Sequence, residues 1–212
     1  MAYALAIAFV LVAVAELGDK TQLLTLVLAA RYRPIHVLAG VAGAVLVLQF
    51  AATAVGSAVG NLLPRTLLGV FTGVLFVGFG LWTLRPQRDE DAEGEASRAS
   101  RFGPVAGVAI AFFLAEIGDK TQVLTMTIAA DPGAAARSVS LVGLDVPAPS
   151  AGPAAFLGVW LGSALGMLLV NGLAIVVGAA LGSRLPEKWV RVASGVVFIL
   201  FGVAALASTF LG

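Results

Sequence analysis

Residues 15–25 read Ala-Glu-Leu-Gly-Asp-Lys-Thr-Gln-Leu-Leu-Thr, and residues 115–125 read Ala-Glu-Ile-Gly-Asp-Lys-Thr-Gln-Val-Leu-Thr. Each stretch sets two acids and a lysine inside a long apolar run, 3–30 for the first copy and 104–130 for the second. Runs of this length without two-residue alternation predict membrane-spanning helices and argue against a barrel. Composition agrees. Of 212 residues, 59% are hydrophobic and only 12% charged, with mean hydropathy +1.00. That is about half the charge a water-facing surface carries. The expected fold class is all-α integral membrane, with no room for a separate soluble enzyme. The absence of cysteine excludes disulfides, thiolate metal sites and cysteine nucleophiles. A formal net charge of +1 gives no reason to expect a nucleic-acid partner.

Charged, proline-containing breaks at 31–36, 61–66, 85–102, 131–153 and 183–188 leave six predicted spans: 3–30, 36–60, 66–84, 104–130, 154–181 and 188–211. The stretch from Arg85 to Arg101 mixes both charge signs with small residues and cannot bury a core, so it reads as a flexible linker. The halves on either side are repeats. A shift of 100 residues superposes the two acidic stretches. A shift of 122 matches Gly40 with Gly162, Leu63-Pro64 with Leu185-Pro186, Gly73 with Gly195, and Phe79-Gly80 with Phe201-Gly202. The 22-residue difference is one insertion, in the loop from Asp131 to Pro153.

Three spans per unit is an odd number, so the second unit crosses the membrane in the opposite sense to the first. The predicted architecture is six transmembrane helices as two inverted three-helix repeats. Repeat 1 covers 1–86, a flexible cytoplasmic linker 87–102, and repeat 2 covers 103–212. Nine Lys and Arg residues fall in the connections at 31–36, 85–102 and 183–191, against two, Arg65 and Arg137, on the other side. The positive-inside rule then puts the linker in the cytoplasm and both termini outside, in a cell membrane. The N-terminus lacks the basic region of a cleavable signal and is read as the start of the first span.

Glu16, Asp19, Glu116 and Asp119 fall near mid-span. Each charge at that depth costs about 2.5–3.5 kcal/mol on insertion scales, so four acids and two lysines must face one another or an aqueous cavity. Spacing i, i+3 would put Glu16 and Asp19 on one helical face. Lys20 at i+4 from Glu16, and Lys120 at i+4 from Glu116, are placed to compensate charge. Brought together by a pseudo-twofold axis, the two motifs carry a surplus near −2, which suits a divalent cation. The donors are carboxylates, with possible support from Thr21, Gln22, Thr121, Gln122, Gln49 and Asn171. Such oxygens favour Ca²⁺, Mn²⁺ or Mg²⁺ over softer metals. Gly18 and Gly118 could let the helix unwind, or could serve only close helix approach. Simple packing pairs of Glu16 with Lys20 and Glu116 with Lys120 would leave Asp19 and Asp119 unneutralised.

The doubled Glu-Leu-Gly-Asp-Lys-Thr and Glu-Ile-Gly-Asp-Lys-Thr at 16–21 and 116–121 resembles the Glu-x-Gly-Asp-(Lys/Arg)-(Thr/Ser) signature of the Gdt family of membrane proteins, within a superfamily that includes lysine exporters. The resemblance covers essentially the whole chain. It implies a proton-driven Mn²⁺ or Ca²⁺ exchanger in which Glu16, Asp19, Glu116 and Asp119 bind the ion, with the cation as substrate, the bilayer as surroundings and no cofactor. Protons and metal would compete for the same acids. If the protein rocks easily only when those acids are neutralised, competition becomes obligatory exchange. A passive cation channel and an amino-acid exporter are the alternatives from transport. A membrane-embedded enzyme acting on lipid phosphates would need arginine, serine or histidine at bilayer depth.

Overall fold

Prolines set the helix starts. Pro34, Pro104, Pro132 and Pro153 each open a helix, at positions where a missing N–H forfeits no intrahelical bond. The computed structural model describes residues 1–62, 64–84, 103–141, 146–181 and 187–211. The expected linker at 87–102 lies outside the described residues. In chain order the helices are α1 (Ala2–Glu16), α2 (Lys20–Arg31), α3 (Pro34–Leu62), α4 (Arg65–Thr83), α5 (Pro104–Glu116), α6 (Lys120–Ala130), α7 (Pro132–Leu141), α8 (Pro153–Leu181) and α9 (Glu187–Leu211). No strand occurs among the described residues.

Two predicted spans are not continuous helices. The run 3–30 is α1 and α2 separated by Leu17, Gly18 and Asp19, and the run 104–130 is α5 and α6 separated by Ile117, Gly118 and Asp119. Gly18 and Gly118 stand at φ +74° and +80°, the left-handed region that glycine enters without a Cβ penalty. Leu17 and Ile117 are extended, with ψ of 124° and 119°. This corrects the expectation that i, i+3 spacing shares a helical face: Glu16 ends one helix and Asp19 caps the next.

The segment 131–153, read as a loop, contains α7. Asp131 caps it by accepting a hydrogen bond at Oδ1 from the Ala134 N–H at 2.8 Å. Ala134, Ala135, Ala136 and Val139 are buried, and α7 packs against α9, α1 and α6. Its short alanine-rich face offered too little hydropathy contrast to stand out between charged residues.

Glycines decide how the helices meet. Gly158, Gly162 and Gly166 of α8 lie against the backbone of Met1, Leu5 and Phe9, so α8 runs beside α1 in the same direction. Gly40, Gly56 and Gly60 of α3 lie against Val105, Met126 and Ala130, so α3 runs beside α5 and α6 in the same direction. The repeat numbering carries one contact into the other, since Gly40 matches Gly162 and Val105 matches Leu5. Helices α4 and α9 cross in opposite directions, Gly73 meeting Gly202 and Gly80 meeting Gly195. Such glycines let backbones approach within lipid, where packing and not water expulsion drives helix association.

Polarity is inverted relative to a water-soluble bundle. Val47 and Phe50 of α3 and Leu165, Leu169 and Leu173 of α8 are exposed, while Glu16, Gln49, Glu116 and Asn171 are completely buried. Both α3 and α8 have 29 residues, about 43 Å of ideal helix, long enough to cross a bilayer.

Candidate cation site

Each helix break has an acid on either side of it, Glu16 and Asp19 at the first and Glu116 and Asp119 at the second. Asp19 and Asp119 occupy the N-cap positions of α2 and α6, where an aspartate ordinarily accepts from the N–H two or three residues on, yet neither makes a side-chain cap bond. Glutamine takes over the stitching. The Gln22 Oε1 accepts from the Gly18 N–H at 3.3 Å, and its Nε2 donates to the Glu16 carbonyl at 2.9 Å. In the second copy, Gln122 Oε1 accepts from the Gly118 N–H at 2.9 Å. The structure thus uses Gln22 and Gln122 as clasps across the breaks. Gln22→Leu removes both bonds and is expected to cost about 2 kcal/mol, read as a lower unfolding temperature of the purified protein.

Threonine orients the glutamates. Thr21 Oγ1 donates to Glu16 Oε1 at 2.9 Å, and Thr121 Oγ1 donates to Glu116 Oε2 at 3.3 Å. Asn171 Nδ2, one helix away on α8, donates to the same Glu16 Oε1 at 2.8 Å and to the Met167 carbonyl at 3.1 Å. One oxygen of each glutamate is held by these donors. The others, Glu16 Oε2 and Glu116 Oε1, are buried without a hydrogen-bond partner among the described residues, as are Asp19 Oδ2, Gln49 Oε1 and Asn171 Oδ1. A buried acceptor left unpaired is costly, and those of Glu16, Asp19 and Glu116, three acids that lie together, point to a ligand that accepts lone pairs.

Glu16, Asp19 and Glu116 each offer a carboxylate oxygen such that all three atoms lie within 4.8 Å of one another. A cation with oxygens at about 2.3–2.6 Å spans such a set. The acids come from both motifs. Asp119 is half-buried at the second break and engaged in an interaction of its own.

Lys120 does not follow the helical spacing. Lys120 Nζ pairs with Asp19 Oδ1 at 2.9 Å, across the two repeats, rather than with Glu116 of its own copy. The break at 117–119 removes the continuous helix on which i, i+4 pairing depends. The Lys20 side chain lies outside the described residues. Sequence reasoning missed Met167, whose Sδ accepts from Gln49 Nε2 at 3.4 Å. Its spacing of four from Asn171 on α8 was the available signal.

The sequence model of a family described as "Divalent cation/proton antiporter GDT1" matches residues 4–91 and 150–212. A Vibrio cholerae protein named "Putative manganese exporter" is 35% identical over 201 residues, covering 94% of this chain and 88% of that protein. GDT1-like protein 5 of Arabidopsis thaliana is 29% identical over 226 residues, covering 90% of each chain. A GDT1-like protein of Synechocystis is 28% identical over 213 residues, covering 92% of each. No solved structure matches the chain. With an extensive family match and a relative above 30% identity along nearly its whole length, this apolar, helical chain is a membrane protein that belongs to the GDT1 family of divalent cation/proton antiporters.

Proposed function

We propose that the protein exchanges a divalent cation, Mn²⁺ or Ca²⁺, for protons and exports the metal from the cytoplasm across the cell membrane. The observation that carries this reading is the buried cluster of Glu16, Asp19 and Glu116, drawn from both motifs and close enough to share one ion. Asp119, the counterpart of Asp19 in the second motif, lies outside that group of three and is proposed as a fourth acid of the site, with Gln49 and Asn171 as neutral oxygen donors. Thr21 and Thr121 orient the glutamates. The manganese named for the Vibrio relative favours Mn²⁺ as the first substrate to test.

The proposed frame is six spans in two inverted three-helix repeats, 1–86 and 103–212, joined by a cytoplasmic linker at 87–102 with both termini outside. One contact supports inversion once the spans are taken in order. Consecutive spans cross in opposite senses, so in this frame the chain turns back at Tyr32 and Arg33, between α2 and α3. Because α3 runs with α5 and α6, the second broken helix runs opposite to the first. The two half-helix ends then converge from opposite sides on one site, as they do in transporters built from inverted repeats.

Three clustered carboxylates hold either protons or a cation, and a buried, negatively charged cluster holding neither is too costly to pass between the two faces. Only neutralised states rock, which makes movement of metal one way require protons the other way. An open channel has no such requirement. In vesicles reconstituted with the purified chain, a Mn²⁺ gradient should drive opposing proton flux recorded by an internal pH dye. Metal for metal exchange should persist without a proton gradient, whereas net metal movement against its own gradient should require one. Net Mn²⁺ or Ca²⁺ flux that is independent of protons would overturn the exchanger.

A further inference from the structure

Lys120 sits within the acid cluster and contributes the wrong sign. Its ammonium is 2.9 Å from Asp19 Oδ1, with the lysine side chain 10% and the aspartate side chain 1% exposed. Lys120 opens α6 and Asp19 caps α2, so the pair bridges the two motifs and holds the cation at a fixed point beside the shared oxygens. Glu16, Asp19 and Glu116 supply three negative charges, and Lys120 offsets one of them. Asp119 lies outside that group of three.

We propose that Lys120 is a specificity-determining residue: its ammonium, anchored on Asp19, holds the net charge of the cluster at −2 and thereby selects guests of valence two. The proposal rests on the exchanger reading in taking these carboxylates as the cation site. Its content is separate, because it concerns how one fixed positive charge grades guests by their own charge. Coulomb repulsion between a fixed charge and a bound ion grows linearly with the valence of that ion. Deleting the ammonium therefore tightens binding of every cation, by a factor whose logarithm scales with valence. A tenfold gain for a divalent ion implies a gain of about thirtyfold for a trivalent ion of similar size. A lysine that only braces Asp19 predicts a different pattern, since a slackened site loses affinity for all ions alike.

The test is equilibrium binding of Mn²⁺ alone and of La³⁺ alone to the purified full chain, by calorimetry, with no flux involved. Lys120→Gln should bind Mn²⁺ about tenfold and La³⁺ about thirtyfold more tightly than the parent. Lys120→Arg, which keeps the charge, should preserve the parental ratio of the two affinities. Weakened binding of both ions by Lys120→Gln, or an equal change in both, overturns the proposal.

A second variant holds the fold constant while the charge is varied. The chain has no cysteine, so Lys120→Cys introduces its sole thiol. Capping that thiol with an aminoethyl group restores an ammonium in the same folded sample and should return the La³⁺ to Mn²⁺ ratio toward the parental value. An uncharged methylthio cap should leave the raised ratio in place. Equal ratios after the two caps would sink the role of charge. A parental protein that binds neither ion would instead sink the exchanger reading itself.

Discussion

Glu16→Gln is expected to cut coupled Mn²⁺ and proton exchange at least a hundredfold while leaving the protein folded. The amide matches the carboxyl in volume and keeps Oε1 as acceptor for Thr21 at 2.9 Å and Asn171 at 2.8 Å. What it changes is the atom facing the cluster, since Oε2, buried without a partner among the described residues, becomes an N–H donor. The cation loses one negative charge and meets two hydrogens of partial positive charge. Removing one partner from a buried charge pair typically costs 2–5 kcal/mol, and about 3 kcal/mol is a factor above one hundred. Glu116→Gln should match it, because Glu116 is equally buried and lies within the same 4.8 Å set. Flux into vesicles with internal pH recording measures the loss, and an unchanged unfolding temperature distinguishes it from misfolding. Near-normal exchange in both variants would remove the glutamates from the mechanism.

The residue types at this site could be read from the doubled motif, but their partners could not. Mid-span acids announce themselves by their cost, and a shift of 100 residues shows that there are two sets. Hydropathy, however, averages over windows longer than three residues. It cannot register the break at Leu17 to Asp19, and therefore still places Glu16 and Asp19 on one helix. Once that break exists, helical spacing no longer governs Lys120, which finds Asp19 of the other copy. The clasp made by Gln22 escaped for the same reason, because a glutamine satisfies a carbonyl and an N–H only where a helix has released them. Helix α7 escaped for another. Its residues 132–141 mix proline, glycine, arginine and serine with alanine, and burial of Ala134 to Ala136 comes from the neighbours α1, α6 and α9 and not from any local pattern.

Gly56→Leu should prevent assembly of the bundle, whereas Gly43→Leu on the same helix should be tolerated. A Cβ at position 56 would run into the main-chain carbonyl of Met126, and one at Gly60 into that of Ala130. Backbone cannot rotate aside as a side chain can, so relief requires α3 to move away from α6. Overpacking in a tight interior costs about 1–3 kcal/mol where side chains can adjust. Without that adjustment, a full isobutyl group should exceed this range and leave little monodisperse protein in detergent. Gly43 meets nothing within 4 Å and is exposed, so its leucine projects to the lipid-facing side. The contrast also tests how the two motifs are brought together. Helix α3 carries Gln49 beside the site and packs along α5 and α6, so separating it from α6 displaces Lys120 and Glu116 from Asp19 and Glu16. Smaller intrusions should therefore reach the site before the fold fails. Gly56→Ala should weaken Mn²⁺ binding measurably in protein that still purifies as a single species, and equal folding yields for Gly56→Leu and Gly43→Leu would contradict this account of the interface.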